Sequence, residues 1–426
     1  MSKYGNCIIG QSGGPTAAIN ASLSGILEGI LENKLYEKVY GMVSGIEGLL
    51  QGKYLDLSEK FKTSQALDRL TNTPAMYLGS CRFKLPTCEN SEIIYRDLFH
   101  FFIEHNIKTV FYIGGNDSMD TVLKLSDYAK AHHYDINIIG VPKTIDNDLP
   151  ITDHTPGFGS AAKYVATSIL EIAHDAYIYN IPSITIVEIM GRNAGWLTAA
   201  SALARTEYSS APDFIYLPEV SFDKTNFVND IKELMHTKPN VIVAVSEGIK
   251  DADGNYISAS NTSLDSFGHS QLCGVGRTLE NLLKSEIGCK VRSIELNVLQ
   301  RAGGHIASLT DLNESRLIGK EAAKLGSNGE TAKMVCYKRT SDSPYTISTF
   351  AYDIRSIANG EKMIPTEWIT QSKNDIKPEL ITYLRPLIMG EVSIKTINGI
   401  PDYCNISHLS HDSNYFNHKY IHSCVK

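Results

Sequence analysis

Short, β-branched apolar runs recur along the chain with helix-length stretches between them, at residues 7–9, 38–42, 109–113, 136–141, 184–190, 214–217, 241–245 and 290–296. Runs this short and apolar read as buried strands, and strands that alternate with helices predict an α/β chain with mostly parallel, doubly wound sheets. Near the end, residues 334–337 and 345–350 read as a further pair of short strands. Before them, residues 311–325 carry Leu312, Leu317, Ile318, Ala322 and Leu325 with charges between, a helix that Gly326 is expected to stop. In open α/β sheets, ligands bind beyond the carboxyl ends of the strands. The residues that follow each run are therefore where chemistry is expected.

The run at 136–141 is closed by Pro142, which cannot donate to a central ladder, and leads into Lys143-Thr-Ile-Asp-Asn-Asp-Leu-Pro150. That loop brings one ammonium, Lys143, close to two carboxylates, Asp146 and Asp148. One carboxylate can accept a proton from a hydroxyl while the other orients the base or the substrate, and Lys143 can face developing negative charge. Taken alone, the loop reads better as a solvated turn with capping aspartates. The other strand ends overturn that reading.

The first run opens into Gly10-Gln-Ser-Gly-Gly-Pro-Thr16, where Gly13 and Gly14 let the backbone approach a ligand. Pro15 suits a first helical position, so a helix start with unpaired N–H groups would offer an anion site there. The Gly-Lys-Ser/Thr ending of a Walker A loop is missing. The run at 109–113 leads into Gly114-Gly-Asn-Asp-Ser118 and a helix over 119–129. Asp117 is a hard oxygen donor suited to Mg2+ beside a phosphate, with an N-cap as its competing role. Tyr77-Leu-Gly-Ser-Cys-Arg82 supplies an arginine whose planar fork would hold a phosphoryl group if it folds against the glycine loops. Downstream strand ends offer Met190-Gly-Arg192, Glu247 and Leu299-Gln-Arg-Ala-Gly-Gly304. Arginine for phosphate and glutamate for hydroxyls is the set a sugar phosphate needs. Arg292 lies inside its run and projects from a face or an interface. Gly157-Phe-Gly-Ser-Ala-Ala162 approaches a dinucleotide fingerprint but follows His154-Thr-Pro instead of a strand, so it is expected to open a helix from about residue 161 toward 172, and a nicotinamide site is rejected.

Composition narrows the partners. A chain of 426 residues, 42% hydrophobic and 20% charged, is ordinary for a globular protein. No apolar stretch approaches the roughly 20 residues of a spanning helix, and no signal peptide is expected. The eight scattered cysteines include no CxxC pair, which points to a cytoplasmic setting with reduced thiols. A net charge of −7 argues against broad nucleic-acid binding. His408, His411, His418 and His422, with Cys404 and Cys424, match no common zinc spacing and read as solvated tail residues.

Six motifs stand in order: Gly13-Gly14-Pro15-Thr16, Gly79-Ser80-Cys81-Arg82, Gly114-Gly115-Asn116-Asp117-Ser118, Pro142-Lys143-Thr144-Ile145-Asp146-Asn147-Asp148, Met190-Gly191-Arg192 and Gln300-Arg301-Ala302-Gly303-Gly304. Over about residues 5 to 325 this series resembles the phosphofructokinase family, specifically its pyrophosphate-dependent bacterial branch. The resemblance implies two Rossmann-like lobes: a phosphoryl-donor lobe over 1–140 and a sugar-phosphate lobe over 141–326, part of which packs back on the first, with a C-terminal extension over 327–426. It implies a reversible, Mg2+-dependent pyrophosphate:fructose 6-phosphate 1-phosphotransferase of glycolysis and gluconeogenesis. Asp146 would be the base toward the C1 hydroxyl, with Thr144 and Asp148 in the same substrate loop. Met190, Gly191, Arg192, Glu247, Gln300 and Arg301 would hold the sugar phosphate. Arg292 would reach the 6-phosphate of a neighbouring subunit, which implies a homodimer or homotetramer. Gly13, Gly14, Arg82 and Lys143 would contact the donor.

ATP-using relatives carry glycine where Asp117 and Lys143 stand. A carboxylate about 4 Å from an α-phosphate charge costs on the order of 4 kcal/mol at an effective dielectric of about 20. That is roughly a thousandfold penalty on ATP, while Lys143 supplies a cation to a short diphosphate. Two positions depart from the family. Its usual metal-binding aspartate is Asn116 here, which leaves Asp117 or the phosphates to take the metal. Ser183 stands where ATP-dependent relatives place a second arginine, which admits sedoheptulose 7-phosphate as a substrate. The competing readings are an ATP-dependent 6-phosphofructokinase and a non-catalytic regulatory subunit; the intact Asp146, Asp148 and Arg192 argue against the latter.

Overall fold

The computed structural model describes residues 5–81, 83–258, 272 and 274–409. Five strands come first: β1 (Asn6–Gln11), β2 (Val39–Met42), β3 (Tyr54–Asp56), β4 (Ile107–Gly114) and β5 (Asn137–Pro142). Four more, β6 (Ser183–Ile189), β7 (Phe214–Tyr216), β8 (Asn240–Ser246) and β9 (Lys290–Glu295), form a second sheet in the order β7-β8-β6-β9, parallel throughout. The chain then returns. β10 (Lys333–Asp342) and β11 (Tyr345–Asp353) complete the first sheet, whose order is β11-β10-β5-β4-β1-β2-β3. Its interior pairs are parallel, and the two edge pairs, β2/β3 and β10/β11, are antiparallel.

Each apolar run identified in the sequence is a strand; the additions are β3, a short half-buried edge with too little pattern to read, and a two-residue antiparallel pair, Thr396–Ile397 with Ile400–Pro401. Alternation along β1 shows why the first sheet is covered on both faces. Cys7 and Ile9 pack with Leu23 and Ile26 of the helix Ile19–Asn33 and Ile318 of the helix Leu309–Ser327. Ile8 points the other way, toward Phe99, Phe102, Met119 and Val122.

Residues after 326 divide between the lobes. β10 and β11 extend the first sheet, while Ile364, Leu380, Leu384 and Leu387 join Val187, Ile189 and Ile242 in the core of the second. Two local expectations are corrected. The helix after the first glycine loop begins at Ile19 rather than Pro15, because the Thr16 hydroxyl accepts the N–H groups of Ala18 and Ile19 at 3.2 and 2.9 Å. Gly326 does not stop its helix, which runs to Ser327. A side chain at 326 would meet Thr109 and Phe111 at 2.7 and 2.9 Å, so the glycine serves close packing. No helix among the described residues is long and apolar enough to cross a membrane.

Candidate active site

Strand register places three loops side by side. Gln11, Ile113 and Val141 lie in one row across β1, β4 and β5, so the segments that follow leave the same edge of the sheet. These are the Gly13-Gly14 turn, the Gly114–Ser118 turn and the loop from Lys143 to Asp148. The backbone N–H of Lys143 donates to Gly114 at 2.9 Å, and its ammonium turns back to donate to the Gly14 carbonyl at 2.7 Å. A Cβ on Gly13 would sit 3.2 Å from that ammonium, and one on Gly14 would sit 3.3 Å from an Arg301 nitrogen. The backbone concavity of the first turn is thus lined by two cations. Ser80 donates to the Gly13 carbonyl at 2.6 Å, which brings the Gly79–Cys81 segment against the same turn. Arg82 lies outside the described residues.

Lys143 is buried, and burial pushes its ammonium down to about 8, with Asp146 and Asp148 opposing and Arg301 assisting. Burial likewise holds the Asp146 carboxyl above its ordinary range against the pull of Lys143, Arg192 and the Thr144 hydroxyl. Asp148 is pushed up to about 7 by burial and by Asp146, and its Oδ1 has no hydrogen-bond partner. Between them Asn147 is fully buried with φ +54°, in the left-handed region. Thr144 closes the turn by accepting the Asp146 N–H at 3.1 Å.

The second sheet presents its own carboxyl edge. Ile189 and Ser246 are in register, and Met190, Gly191, Arg192 and Glu247 follow them. Glu247 accepts the Gly191 N–H at 3.3 Å, and burial pushes its carboxyl up to about 7, with Asp146 adding to the rise. Arg192 lowers the pKa of both Asp146 and Glu247, and its buried Nε has no hydrogen-bond partner. Gln300 is buried and accepts the Met190 N–H at 3.3 Å, so it supports the Met190 backbone from below. Glu188, Glu247, Glu295, Asn297 and Gln300 line a small cavity there.

Other expected residues stand elsewhere. Arg292 is the third residue of β9, opposite Thr185, with its guanidinium 3.2 Å from Asp175. Met190 lies five residues beyond Thr185, so Arg292 is about 16 Å back along the strands at about 3.3 Å per residue. Ser183 begins β6 at that same far end and accepts from Asn240 at 2.9 Å. Asp117 is half-buried in the first turn of the helix Asn116–Ala131, whose N-cap is Gly115. Asn116 has both ends of its amide engaged, accepting the Asn359 N–H at 2.7 Å and donating to the Gly360 carbonyl. The Gly157 turn does open a helix, Phe158–Tyr177, but Asp311 takes its N–H groups at Gly157 and Ser160, both at 2.9 Å. A dinucleotide phosphate has no place there. Of the tail residues, His408 is buried against the Tyr77 carbonyl at 2.7 Å; His411, His418, His422 and Cys424 lie outside the described residues.

Sequence reading missed the segment 359–364 and Tyr383. Glu361 raises both Asp146 and Asp148, and Lys362 contacts the Asp148 backbone and the Asn147 side chain. Nothing local marks them, because their partners lie more than two hundred residues away in the chain.

The family described as Phosphofructokinase matches residues 6–325. The chain is 38% identical to the pyrophosphate–fructose 6-phosphate 1-phosphotransferase of Halomonas elongata, covering 93% of this chain and 94% of that protein. It is 39% identical to the enzyme of the same name from Methylococcus capsulatus, covering 94% and 96%. The crystal structure of the pyrophosphate-dependent phosphofructokinase from Nitrosospira multiformis matches with a TM-score of 0.83 at 34% identity, covering 99% of this chain and 98% of that one.

Proposed function

The chain belongs to the phosphofructokinase family, and we propose that it transfers a phosphoryl group from inorganic pyrophosphate to the 1-hydroxyl of fructose 6-phosphate, giving fructose 1,6-bisphosphate and phosphate. The observation that carries the reading is the Lys143 ammonium, fixed on the Gly14 carbonyl by the loop that also bears Asp146 and Asp148. One loop then delivers the cation for the donor and the base for the acceptor. Phosphoryl transfer asks a protein mainly for positioning and charge neutralisation, and this loop provides both.

In this reading Asp146 takes the proton from the sugar's 1-hydroxyl as the oxygen attacks, with Arg192 and Lys143 offsetting the charge. Asp148 orients the same hydroxyl, and its unpartnered Oδ1 is the atom free to do so. The N–H groups and Gly13-Gly14 backbone cradle the diphosphate between Lys143 and Arg301, with Arg82 as a further contact. Met190, Gly191, Arg192, Glu247 and Arg301 hold the sugar phosphate, Gln300 by supporting Met190. Magnesium, when bound, neutralises diphosphate oxygens. Asp117 is the carboxylate that fits it, since Mg2+ takes one or two carboxylates and keeps its water, whereas Asn116 is engaged by the segment 359–360. Arg292, remote from its own chain's site, serves a second copy in a homodimer or homotetramer.

The test is the initial rate with fructose 6-phosphate and Mg2+, with pyrophosphate against ATP at matched concentrations. Activity with pyrophosphate, and production of pyrophosphate from fructose 1,6-bisphosphate and phosphate, are expected. Activity with ATP alone would overturn the donor, and silence with both would favour a regulatory role or another sugar such as sedoheptulose 7-phosphate.

The pH profile follows from the shifts. The carboxylates must be ionised to act; as pH falls, that form is lost through about 7 for Asp148 and above the ordinary carboxylate range for Asp146. Lys143 must be protonated, and that form is lost as pH rises through about 8. A narrow bell in kcat/KM for fructose 6-phosphate is expected, its limbs belonging to the coupled groups. An acid limb at the ordinary carboxylate value of about 4 would show that the carboxylates are not desolvated as described.

A further inference from the structure

Residues 359–364 cross the site without forming helix or strand, and they touch the Gly114–Ser118 turn, the Lys143–Asp148 loop and the turn after Arg192. Asn359 and Gly360 hold Asn116 at the donor turn. The Lys362 N–H donates to the Asp148 carbonyl at 2.6 Å. On the sugar side, Asn193 approaches Glu361 at 3.4 Å and the Trp196 indole donates to the Lys362 carbonyl at 2.9 Å. Glu219 accepts from Gly195 at 2.8 Å and from Ile364 at 3.1 Å, clamping the segment to the turn after Arg192.

The centre of this arrangement is Asn147. A buried, non-glycine residue at positive φ persists only where its surroundings hold it. Its side chain donates to the Tyr383 hydroxyl at 3.0 Å and accepts from the Lys362 ammonium at 3.4 Å. Those two groups converge on one further point, the Asp153 carbonyl, at 2.6 and 2.7 Å, and Lys362 also reaches the Thr152 carbonyl at 3.1 Å. Both holders come from the stretch after residue 353.

We propose that Lys362, together with Tyr383, is a positioning residue for phosphoryl transfer: it fixes the Asp146-Asn147-Asp148 turn and ties that turn to the donor and sugar loops. The inference rests on the reading of Asp146 as the base. Lys362 touches neither substrate nor reacting atoms; it acts through Asn147. The charged groups around it agree with the geometry, since Asp153 and Asp148 offset its ammonium while Arg339 opposes it. Asp148 in turn faces Asp146, Glu361 and Lys362.

Lys362→Met keeps length and removes the charge, and Tyr383→Phe keeps the ring and removes the hydroxyl. Each is expected to lower kcat on the order of tenfold to a hundredfold, as misplacement of a reacting group does, with KM for both substrates changed by no more than about threefold. Loss of the cation beside Asp148 is also expected to move the acid limb of the profile upward. In an Asn147→Gly background, where the held side chain is gone and positive φ is tolerated, the same substitutions are expected to cost much less. A kcat close to wild type in the folded variants, a loss confined to KM, or full additivity with Asn147→Gly would each overturn the proposal. Tyr383→Phe carries the test if Lys362→Met does not fold. Amide hydrogen exchange over residues 144–150 in the ligand-free chain separates this inference from the assignment of the reaction. Faster exchange in Lys362→Met supports it whatever the donor is, and unchanged protection overturns it.

Discussion

Asp146→Asn is expected to lower kcat in the pyrophosphate-dependent reaction by about a thousandfold, the middle of the range for a lost general base. At about 1.4 kcal/mol per decade this is roughly 4 kcal/mol of transition-state stabilisation. KM for fructose 6-phosphate is expected to change little, because an asparagine still occupies the turn and Arg192 still faces it. Stability is expected to move the other way. The Asp146 carboxyl is held above its ordinary range despite Lys143 and Arg192, so the net surroundings disfavour its charge. A neutral amide removes that penalty near neutral pH, where the unfolded chain would carry the carboxylate ionised. The variant should therefore unfold at the same temperature as wild type or higher. Loss of activity with a lowered melting temperature would mean that Asp146 supports the fold, and retention of most of the activity would move the base elsewhere. The trade of stability for function is expected where a catalytic group is desolvated.

What the sequence disclosed follows from how locally each feature is determined. The strands were legible because burial on both faces makes them continuous apolar runs, and the loops were legible because they follow those runs directly. Lys143, Asp146 and Asp148 stand within six residues of one another, so their meeting required no knowledge of the fold. The Gly157 turn could be rejected for a dinucleotide because no strand precedes it; the structure adds that Asp311, far along the chain, takes its N–H groups. Long-range contacts were beyond reach in the same way. Lys362 is 215 residues from Asn147 and lies in a segment with no period to read. Asn116 looks in sequence like a metal site with the wrong side chain, and only the fold shows its amide joined to Asn359 and Gly360. Pro15 was misread for a smaller reason: Thr16 competes for the same N–H groups and delays the helix to Ile19. The one local hint of the missed segment was Asn147 itself, a small amide between two carboxylates that can adopt positive φ.

The donor is the second large effect. Asp117→Gly combined with Lys143→Gly is expected to raise the ratio of kcat/KM for ATP over pyrophosphate by up to roughly a thousandfold, from removal of a repulsion worth about 4 kcal/mol. The two substitutions act on opposite sides of that ratio. Asp117→Gly removes a carboxylate from the first turn of the helix Asn116–Ala131, where it would oppose an α-phosphate. Lys143→Gly removes the ammonium from the Gly14 carbonyl, so a diphosphate loses its cation and the concavity beside Gly13 gains room for a longer donor. If Asp117 also holds the metal, both donors lose by the same factor, and the ratio still reports the electrostatic term alone. Asp117→Gly by itself should raise the ratio of ATP to pyrophosphate activity, and Lys143→Gly by itself should mainly depress activity with pyrophosphate. Arg301, which stays beside Gly14, should keep the double variant able to bind a phosphoryl donor. A ratio that stays at its wild-type value in the double variant would remove charge at these two positions as the cause of donor choice, and would leave the family assignment and the sugar site untouched.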